Sequence, residues 1–281
     1  MVVRDQEGER NCFLSGHRAV VGDRVHWIPA PGEGGKLVAV EERDTALVRM
    51  DHRGREQVLA ANLGGLLIVV SAREPGFRAA LLDRYIVAAE RFGLDTALVV
   101  SKVDLGIDET TELQIARRQE ACDLPVFRTA IHPEPELDGL PAFFAKVSEQ
   151  RPWALVGSSG VGKTSLVQAL LPGQDVGPVA AISEFWGTGR HTTTASRLFA
   201  LREGGEIADS PGIRNFTPAG LTPQDIGRYF PRVRELRCQY RDCLHRPGEE
   251  GCCAEEVLSE PLLDSYRTLL SEVMGVESRR H

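Results

Sequence analysis

The sequence predicts an α/β protein with a parallel sheet at its centre, a small all-β segment before it and a small metal-binding segment after it. Three observations predict this. From Leu66 onward, short apolar runs alternate with segments of helical period, the pattern of βαβ units. "GSSGVGKT" at residues 157–164 joins one such strand to one such helix. Four of the six cysteines, Cys238, Cys243, Cys252 and Cys253, crowd together near the C-terminus. At 281 residues the chain is long enough for one large and two small units.

Residues 1–62 hold short β-like runs split by turns. "RAVVGDRVHWI" (18–28) has Gly22-Asp23 between two apolar runs, "PAPGEGGKLVAVEE" (29–42) gives a long turn and a strand, and "TALVRM" (45–50) another strand. Such spacing argues for a small barrel or sandwich. Residues 63–219 carry the alternating pattern. "LLIVV" (66–70) is continuously apolar, as in a strand covered on both faces. "FRAALLDRYIVAAERFG" (77–93) has helical spacing and a closing glycine. "TALVV" (96–100), a helix over 111–121, "PVFRTA" (125–130) and "PWALVG" (152–157) continue the series. Beyond Asp209, Pro211, Pro218 and Pro223 break the chain. In residues 220–281 the Cys/His cluster is followed by a helix expected over 254–277, interrupted at Pro261.

Composition narrows the function classes. No apolar run approaches the ~18 residues of a membrane span. The first ten residues are charged and lack the apolar core of a signal peptide. A soluble, cytoplasmic, monomeric protein is expected. The net charge of −7 announces no nucleic-acid partner in bulk. Locally, Arg228, Arg232, Arg234, Arg237, Arg241 and Arg246 outnumber Glu235 and Asp242.

The loop Gly157-Ser158-Ser159-Gly160-Val161-Gly162-Lys163-Thr164 fits G-x-x-x-x-G-K-[ST] at every fixed position. Its glycines let successive backbone N–H groups face anionic oxygens. Lys163 is expected to neutralise β- and γ-phosphate charge and the Thr164 hydroxyl to hold Mg²⁺, with Ser165 next on the helix. Kinases, ATPases and GTPases all carry this loop. Downstream, "ADSPG" places Asp209 and Gly212 where D-x-P-G at a strand end holds Mg²⁺ and meets the γ-phosphate. Between them, "GTGRHTTTA" (187–195) is a glycine-flanked loop. One threonine of Thr192, Thr193 and Thr194, taken here as Thr193, is expected to complete the Mg²⁺ shell. Ras-like GTPases position water with a Gln after D-x-x-G; Ile213 stands there and cannot. His191, in the same loop, is the candidate for orienting water.

"SKVD" (101–104) ends the run "TALVV". Asp104 is suited to accept from guanine N1–H and N2–H₂, whereas adenine would leave that carboxylate unpaired. The Lys102 stem can lie along the base, and Thr129-Ala130 can bring backbone N–H near guanine O6. In an ordinary GTPase this loop follows the phosphate loop; here it precedes it. A doubly wound sheet needs these loops adjacent in space and in no fixed chain order, so a circular permutation preserves the pocket. In the C-terminal cluster, Cys238, Cys243, His245 and Cys252 supply three thiolates and an imidazole, a closed structural zinc set. Cys253 is an alternative fourth ligand. Cys12 and Cys122 read as buried small apolar residues.

The order SKVD, TA, GSSGVGKT, GRHTTT, DSPG and then C-x4-C-x-H-x6-C resembles the RsgA (YjeQ) family of circularly permuted GTPases, and the resemblance spans nearly the whole chain. It implies an N-terminal OB-fold over 1–62, a permuted GTPase domain over 63–219 and a zinc domain over 220–281. It also implies late maturation of the 30S ribosomal subunit, contact with 16S rRNA, a GTP/GDP cycle with Mg²⁺, and hydrolysis stimulated by the subunit. The family's hydrophobic residue in place of Gln matches Ile213, and its histidine before the threonines matches His191. Ser101 stands where the family has Asn, the last zinc spacing is one residue longer than usual, and the N-terminal segment is short for the family. A nucleotide-regulated RNA-binding module and a P-loop ATPase are the competing readings.

Overall fold

The computed structural model describes residues 1–14, 16, 18–31, 34–50, 55–147, 151–173, 197–209 and 220–277. Four N-terminal strands, β1 (Val2–Asp5), β2 (Gly8–Phe13), β3 (Val25–Pro29) and β4 (Gly35–Val40), form one sheet in the order β1-β2-β4-β3. Its core is small: Val3, Cys12 and Leu37, with Trp27 and Val40 packed against them. β5 (Ala46–Met50) and β6 (Glu56–Ala61) form a separate antiparallel hairpin. Leu47, Leu59 and Ala60 of this hairpin pack into the large core of the α/β unit, so packing runs unbroken across residue 62. The N-terminal sheet is tied back to the hairpin at Gly22. Ala61 donates its N–H to the Val21 carbonyl at 3.0 Å, and the Asn62 amide donates to the Gly22 carbonyl at 2.9 Å. Gly22 has φ +88°, and a Cβ there would lie 2.0 Å from the Ala61 carbonyl oxygen, so only glycine fits.

The central sheet contains β7 (Gly65–Ser71), β8 (Asp95–Ser101), β9 (Val126–Thr129), β10 (Trp153–Val156), β11 (Arg197–Ala200) and β12 (Glu206–Asp209), in the order β11-β12-β10-β7-β8-β9. All neighbours are parallel except β11 with β12. The apolar run of β7 is explained by alternation: Leu66 and Ile68 enter one core, Leu67 and Val69 the other. Burying each such side chain stabilises the fold by about 1.5–3 kcal/mol. Helices α1 (Ala79–Phe92) and α2 (Glu109–Cys122) contribute Leu82, Ile86 and Ile115 to the first core. Helices α3 (Leu140–Val147) and α4 (Lys163–Leu170) contribute Phe144, Leu166 and Val167 to the second. α1 ends at Gly93 in the left-handed region, as the closing glycine predicts. Asp108 caps α2 by accepting from the Thr111 N–H.

The chain winds from β7 outward through β8 to β9 and then returns to β10 on the other side of β7. The order therefore reverses between β7 and β10. In open α/β sheets the ligand crevice lies outside the carboxyl ends of the strands at such a reversal. The loops leaving β7, β8 and β10 converge there.

C-terminal to residue 220, α5 (Pro223–Tyr229) begins with a capping box between Thr222 and Asp225. The cysteine-rich loops follow, then a single turn α6 (Ala254–Val257) and the long α7 (Glu260–Glu277). The break expected at Pro261 lies instead at Leu258-Ser259. Pro261 sits in the first turn of α7, where a missing N–H costs nothing. Phe230, Tyr266, Leu269 and Val273 form the core of this unit, and Val87 of α1 belongs to it. Arg118 of α2 fastens the two units. Its Nε and Nη2 donate to both carboxylate oxygens of Asp83 on α1 at 2.7 and 2.8 Å, and Nη2 also donates to the Ser265 hydroxyl on α7 at 2.6 Å. Arg118 is 5% exposed and Asp83 3%. Burial pushes the Asp83 carboxyl up, and the adjacent guanidinium opposes that shift.

Candidate functional site

The phosphate loop is built as its glycines demand. Gly157 leaves β10 at φ +146°, and a Cβ there would lie 2.2 Å from the Val69 carbonyl of β7. The loop can pass over the neighbouring strand only because that atom is missing. Gly160 and Gly162 also have positive φ, and Gly162 is the N-cap of α4. Lys163, the first residue of α4, folds back and donates to the Gly157 and Ser158 carbonyls at 2.7 and 2.6 Å. Val161 is buried in the second core and anchors the loop from below. Thr164 and Ser165 lie in the first turn of α4, beside the loop's N–H groups. Tyr85 of α1 is buried, and burial pushes its phenol up to about 12 against the opposing effect of the Gly157 backbone.

The base loop stands next to it. Ser101 ends β8 and is 3% exposed. Its hydroxyl oxygen lies 2.6 Å from the Val161 carbonyl of the phosphate loop and 3.0 Å from the Val70 carbonyl of β7. Having one proton, it donates to the nearer, Val161. A serine in place of asparagine thus still bonds the base loop to the phosphate loop. Lys102 adopts the left-handed conformation, φ +58°, and its ammonium donates to the Glu74 carbonyl. Val103–Leu105 form a 3₁₀ turn that leaves Asp104 exposed to solvent at the crevice.

Thr129 and Ala130 end β9, and Thr129 pairs in register with Ser101. Thr129 is wholly buried, and its hydroxyl has no hydrogen-bond partner. The Ala130 N–H, expected to face a base, is bonded to the Glu136 carbonyl at 3.1 Å. Asp209 ends β12, the parallel neighbour of β10. His191, Thr192, Thr193, Thr194, Gly212 and Ile213 lie outside the described residues. One element went unseen in the sequence: the loop after β7, where the Glu74 carbonyl receives both Lys102 and the Ser71 hydroxyl (3.2 Å). Its one signal is Pro75-Gly76 just past a buried strand.

A second cluster lies in the C-terminal unit. Ligand atoms of Cys238, Cys243, His245 and Cys252 all fall within 4.8 Å of one another. His245 Nδ1 is 3.4 Å from Cys238 Sγ, 3.4 Å from Cys243 Sγ and 3.5 Å from Cys252 Sγ. A zinc tetrahedron with Zn–S near 2.3 Å and Zn–N near 2.0 Å has S···N edges of about 3.5 Å, so the donor set fits that ion. Each sulfur also accepts a backbone N–H, from Cys253, His245 and Ala254 respectively. His245 is oriented by its T-shaped contact with Tyr266, while the Arg267 Nε donates to the His245 carbonyl at 3.0 Å. Of the arginines around the cluster, Arg234 pairs with Glu90, and Arg237 donates to the carbonyls of Arg234, Glu235 and Leu236. Arg232, Arg241 and Arg246 are exposed.

Comparison with known proteins agrees with this geometry. The family described as RsgA GTPase matches residues 40–218. The small ribosomal subunit biogenesis GTPase RsgA of Marinobacter nauticus is 35% identical over 95% of this chain and 78% of its own length. That of Alcanivorax borkumensis is 40% identical over 86% of this chain and 69% of its own. Among solved structures, YjeQ from Thermotoga maritima superposes with a TM-score of 0.75 at 25% identity, covering 98% of this chain and 94% of that one. YloQ, described as a circularly permuted GTPase, gives 0.70 at 25% identity over 98% and 91%. With the base-loop strand β8 ahead of the phosphate-loop strand β10 in sequence and the reversal of strand order between β7 and β10, the chain belongs to the RsgA GTPase family of circularly permuted GTPases.

Proposed function

We propose that this protein hydrolyses GTP in the service of small ribosomal subunit biogenesis, with turnover stimulated by the 30S subunit. One observation supports this above the others: the Ser101–Val161 hydrogen bond, which holds the base loop against the phosphate loop although the two occur in permuted order. Asp104 reads guanine, and Lys102 flanks the base. Thr129 and Ala130 close the base pocket once the Ala130 N–H exchanges the Glu136 carbonyl for guanine O6. The N–H groups of residues 157–162, together with Lys163, Thr164 and Ser165, bind the phosphates. Mg²⁺, when bound with GTP, neutralises phosphate charge; Thr164, Thr193 and Asp209 are its protein ligands. Gly212 meets the γ-phosphate. His191 orients the attacking water, because Ile213 cannot.

In the N-terminal part, the four-stranded sheet and the β5–β6 hairpin together serve as an OB-fold. Cys238, Cys243, His245 and Cys252 hold one structural Zn²⁺, which organises a segment of loops with little core of its own. Exposed Arg232, Arg241 and Arg246 meet phosphates of 16S rRNA. Among the described residues no helix is long and apolar enough to cross a membrane. We place the protein in the cytoplasm as a monomer.

The test is a GTPase assay with and without purified 30S subunits, with ATP as competitor. GTP-selective turnover that rises with 30S supports the reading. Equal affinity for ATP and GTP overturns the base assignment. GTP binding with no stimulation favours a nucleotide-regulated RNA-binding module.

A further inference from the structure

The metal cluster has one thiol more than it needs. Cys238, Cys243, His245 and Cys252 make a four-donor set, and structural zinc is four-coordinate, with no position for a fifth sulfur. Cys253 nevertheless stands directly against that set. Its Sγ lies 3.6 Å from Cys238 Sγ, and its own backbone N–H donates to the same sulfur at 3.5 Å. Both residues are only half-buried, so a small solute reaches them.

We propose that Cys238 and Cys253 form a hydroperoxide-reactive pair: Cys238 is the sulfur that is oxidised, and Cys253 is the resolving thiol that closes a disulfide with it. This rests on the reading of the cluster as a zinc site for its consequence, though not for its chemistry. In the first step the Cys238 sulfur attacks one oxygen of a hydroperoxide. An S–O bond forms, the O–O bond breaks, and the other oxygen leaves as an alcohol, or as water when the oxidant is hydrogen peroxide. Sulfur is oxidised to a sulfenic acid and the peroxide oxygens are reduced. In the second step the Cys253 sulfur attacks the Cys238 sulfur. An S–S bond forms, the S–O bond breaks, and water leaves with the thiol proton. Two thiols and one hydroperoxide thus give one disulfide, one alcohol and one water.

Geometry favours this pairing. The two sulfurs need approach by only ~1.6 Å to reach the ~2.0 Å of a disulfide, and rotation of short side chains provides that. Cys238, Cys243 and Cys252 all stand 3.4–3.5 Å from His245 Nδ1, and of these three donor sulfurs it is that of Cys238 that Cys253 touches, through both its Sγ and its N–H. Closing the disulfide removes Cys238 from the donor set and leaves Cys243, His245 and Cys252. Three donors hold zinc more weakly than four, so oxidation releases the metal and loosens the unit that α5 and α7 frame. Without Cys253, the remaining thiols outside the donor set are Cys12 and Cys122, which pack in other cores, and the sulfenic acid proceeds to the irreversible sulfinic acid.

The experiment uses the full-length protein as purified, after its zinc content has been measured. Parent and Cys253→Ser are treated with hydrogen peroxide. Zinc release is followed with a chromogenic chelator, and disulfides are mapped by mass spectrometry of alkylated, non-reduced digests. The parent is expected to form a Cys238–Cys253 disulfide, to release its zinc as it does so, and to take zinc up again after reduction by dithiothreitol. Cys253→Ser is expected to bind zinc one to one, and after oxidation to recover about tenfold less of it on reduction, with sulfinic acid at Cys238. A disulfide mapped between Cys238 and Cys243 or Cys252, or full recovery by Cys253→Ser, overturns the proposal. Absence of zinc in the purified parent overturns the metal reading alone, because the disulfide map scores the cysteine pair with or without metal.

Discussion

Replacing Ser101 with alanine removes one oxygen atom from a residue that is 3% exposed. That oxygen satisfies the Val161 carbonyl at 2.6 Å and lies 3.0 Å from the Val70 carbonyl. Alanine leaves a buried carbonyl unpartnered, at a cost of about 1–3 kcal/mol. Because the bond spans the two loops that grip opposite ends of the nucleotide, the bound state carries most of that cost. With about 1.4 kcal/mol per factor of ten, the GDP dissociation constant should rise roughly 5- to 100-fold. Whatever share falls on the empty protein should lower Tm by about 2–4 °C per kcal/mol. Equilibrium titration with a fluorescent GDP analogue and thermal melting with and without nucleotide separate the two shares. Ser101→Asn, which restores the residue common in the family, should bind at least as well as the parent. If Ser101→Ala bound GDP within twofold of the parent and melted at the same temperature, the idea that this hydroxyl joins the loops would be refuted.

Other perturbations test other parts of the argument. Gly157→Ala forces a methyl to within 2.2 Å of the Val69 carbonyl at a φ of +146°; nucleotide binding should be lost and denaturant stability should fall by at least about 1–3 kcal/mol. Asp104→Ala should weaken GTP about 10- to 100-fold by losing hydrogen bonds to a charged group while leaving ATP unaffected, read by competition binding. His191→Ala should slow single-turnover hydrolysis by about 10²-fold or more with an unchanged dissociation constant; a parent-like rate removes its water-orienting role. Arg118→Met strands the buried Asp83 carboxylate and should cost about 3–5 kcal/mol in urea unfolding, whereas Asp83→Leu with Arg118→Met should recover most of it.

Much of this arrangement was legible in the sequence because its signals are local. The phosphate loop is specified by glycines whose neighbours along the chain announce a strand and a helix, and the structure shows that Gly157 is obligatory for a steric reason. The apolar run of β7 reads as a doubly covered strand, and its side chains do alternate between two cores. The cysteine spacing reads as a donor set, and its atoms do converge. What escaped depends on long-range packing. Nothing near Ser101 in sequence reveals that its partner is Val161. The β5–β6 hairpin reads as part of the N-terminal segment, yet Leu47 and Leu59 face the larger core. Pro261 reads as a helix breaker, but a proline in a first turn starts a helix as readily as it ends one. Asp83 and Arg118 read as two charges on two amphipathic helices, and only tertiary packing makes them a buried pair.

Helix α1 serves two cores at once. Leu82, Tyr85, Ile86 and Ala89 face the central sheet, while Val87 belongs with Phe230 and Tyr266. Arg84 pairs with Glu272, and Asp83 reaches Ser265 through Arg118. The catalytic sheet and the cysteine-rich unit therefore share a wall, and neither can melt without stripping apolar cover from the other. A truncation at residue 219 would yield a fragment with a raw hydrophobic flank, an Asp83–Arg118 pair stripped of its Ser265 bond and Arg84 without Glu272. Cooperativity of unfolding should follow the wall and ignore the motif boundaries: one denaturation transition spanning residues 46–277, because Leu47 and Leu59 of the β5–β6 hairpin sit in the large core, with the N-terminal sheet, whose small core among the described residues centres on Val3, Cys12 and Leu37, free to open first.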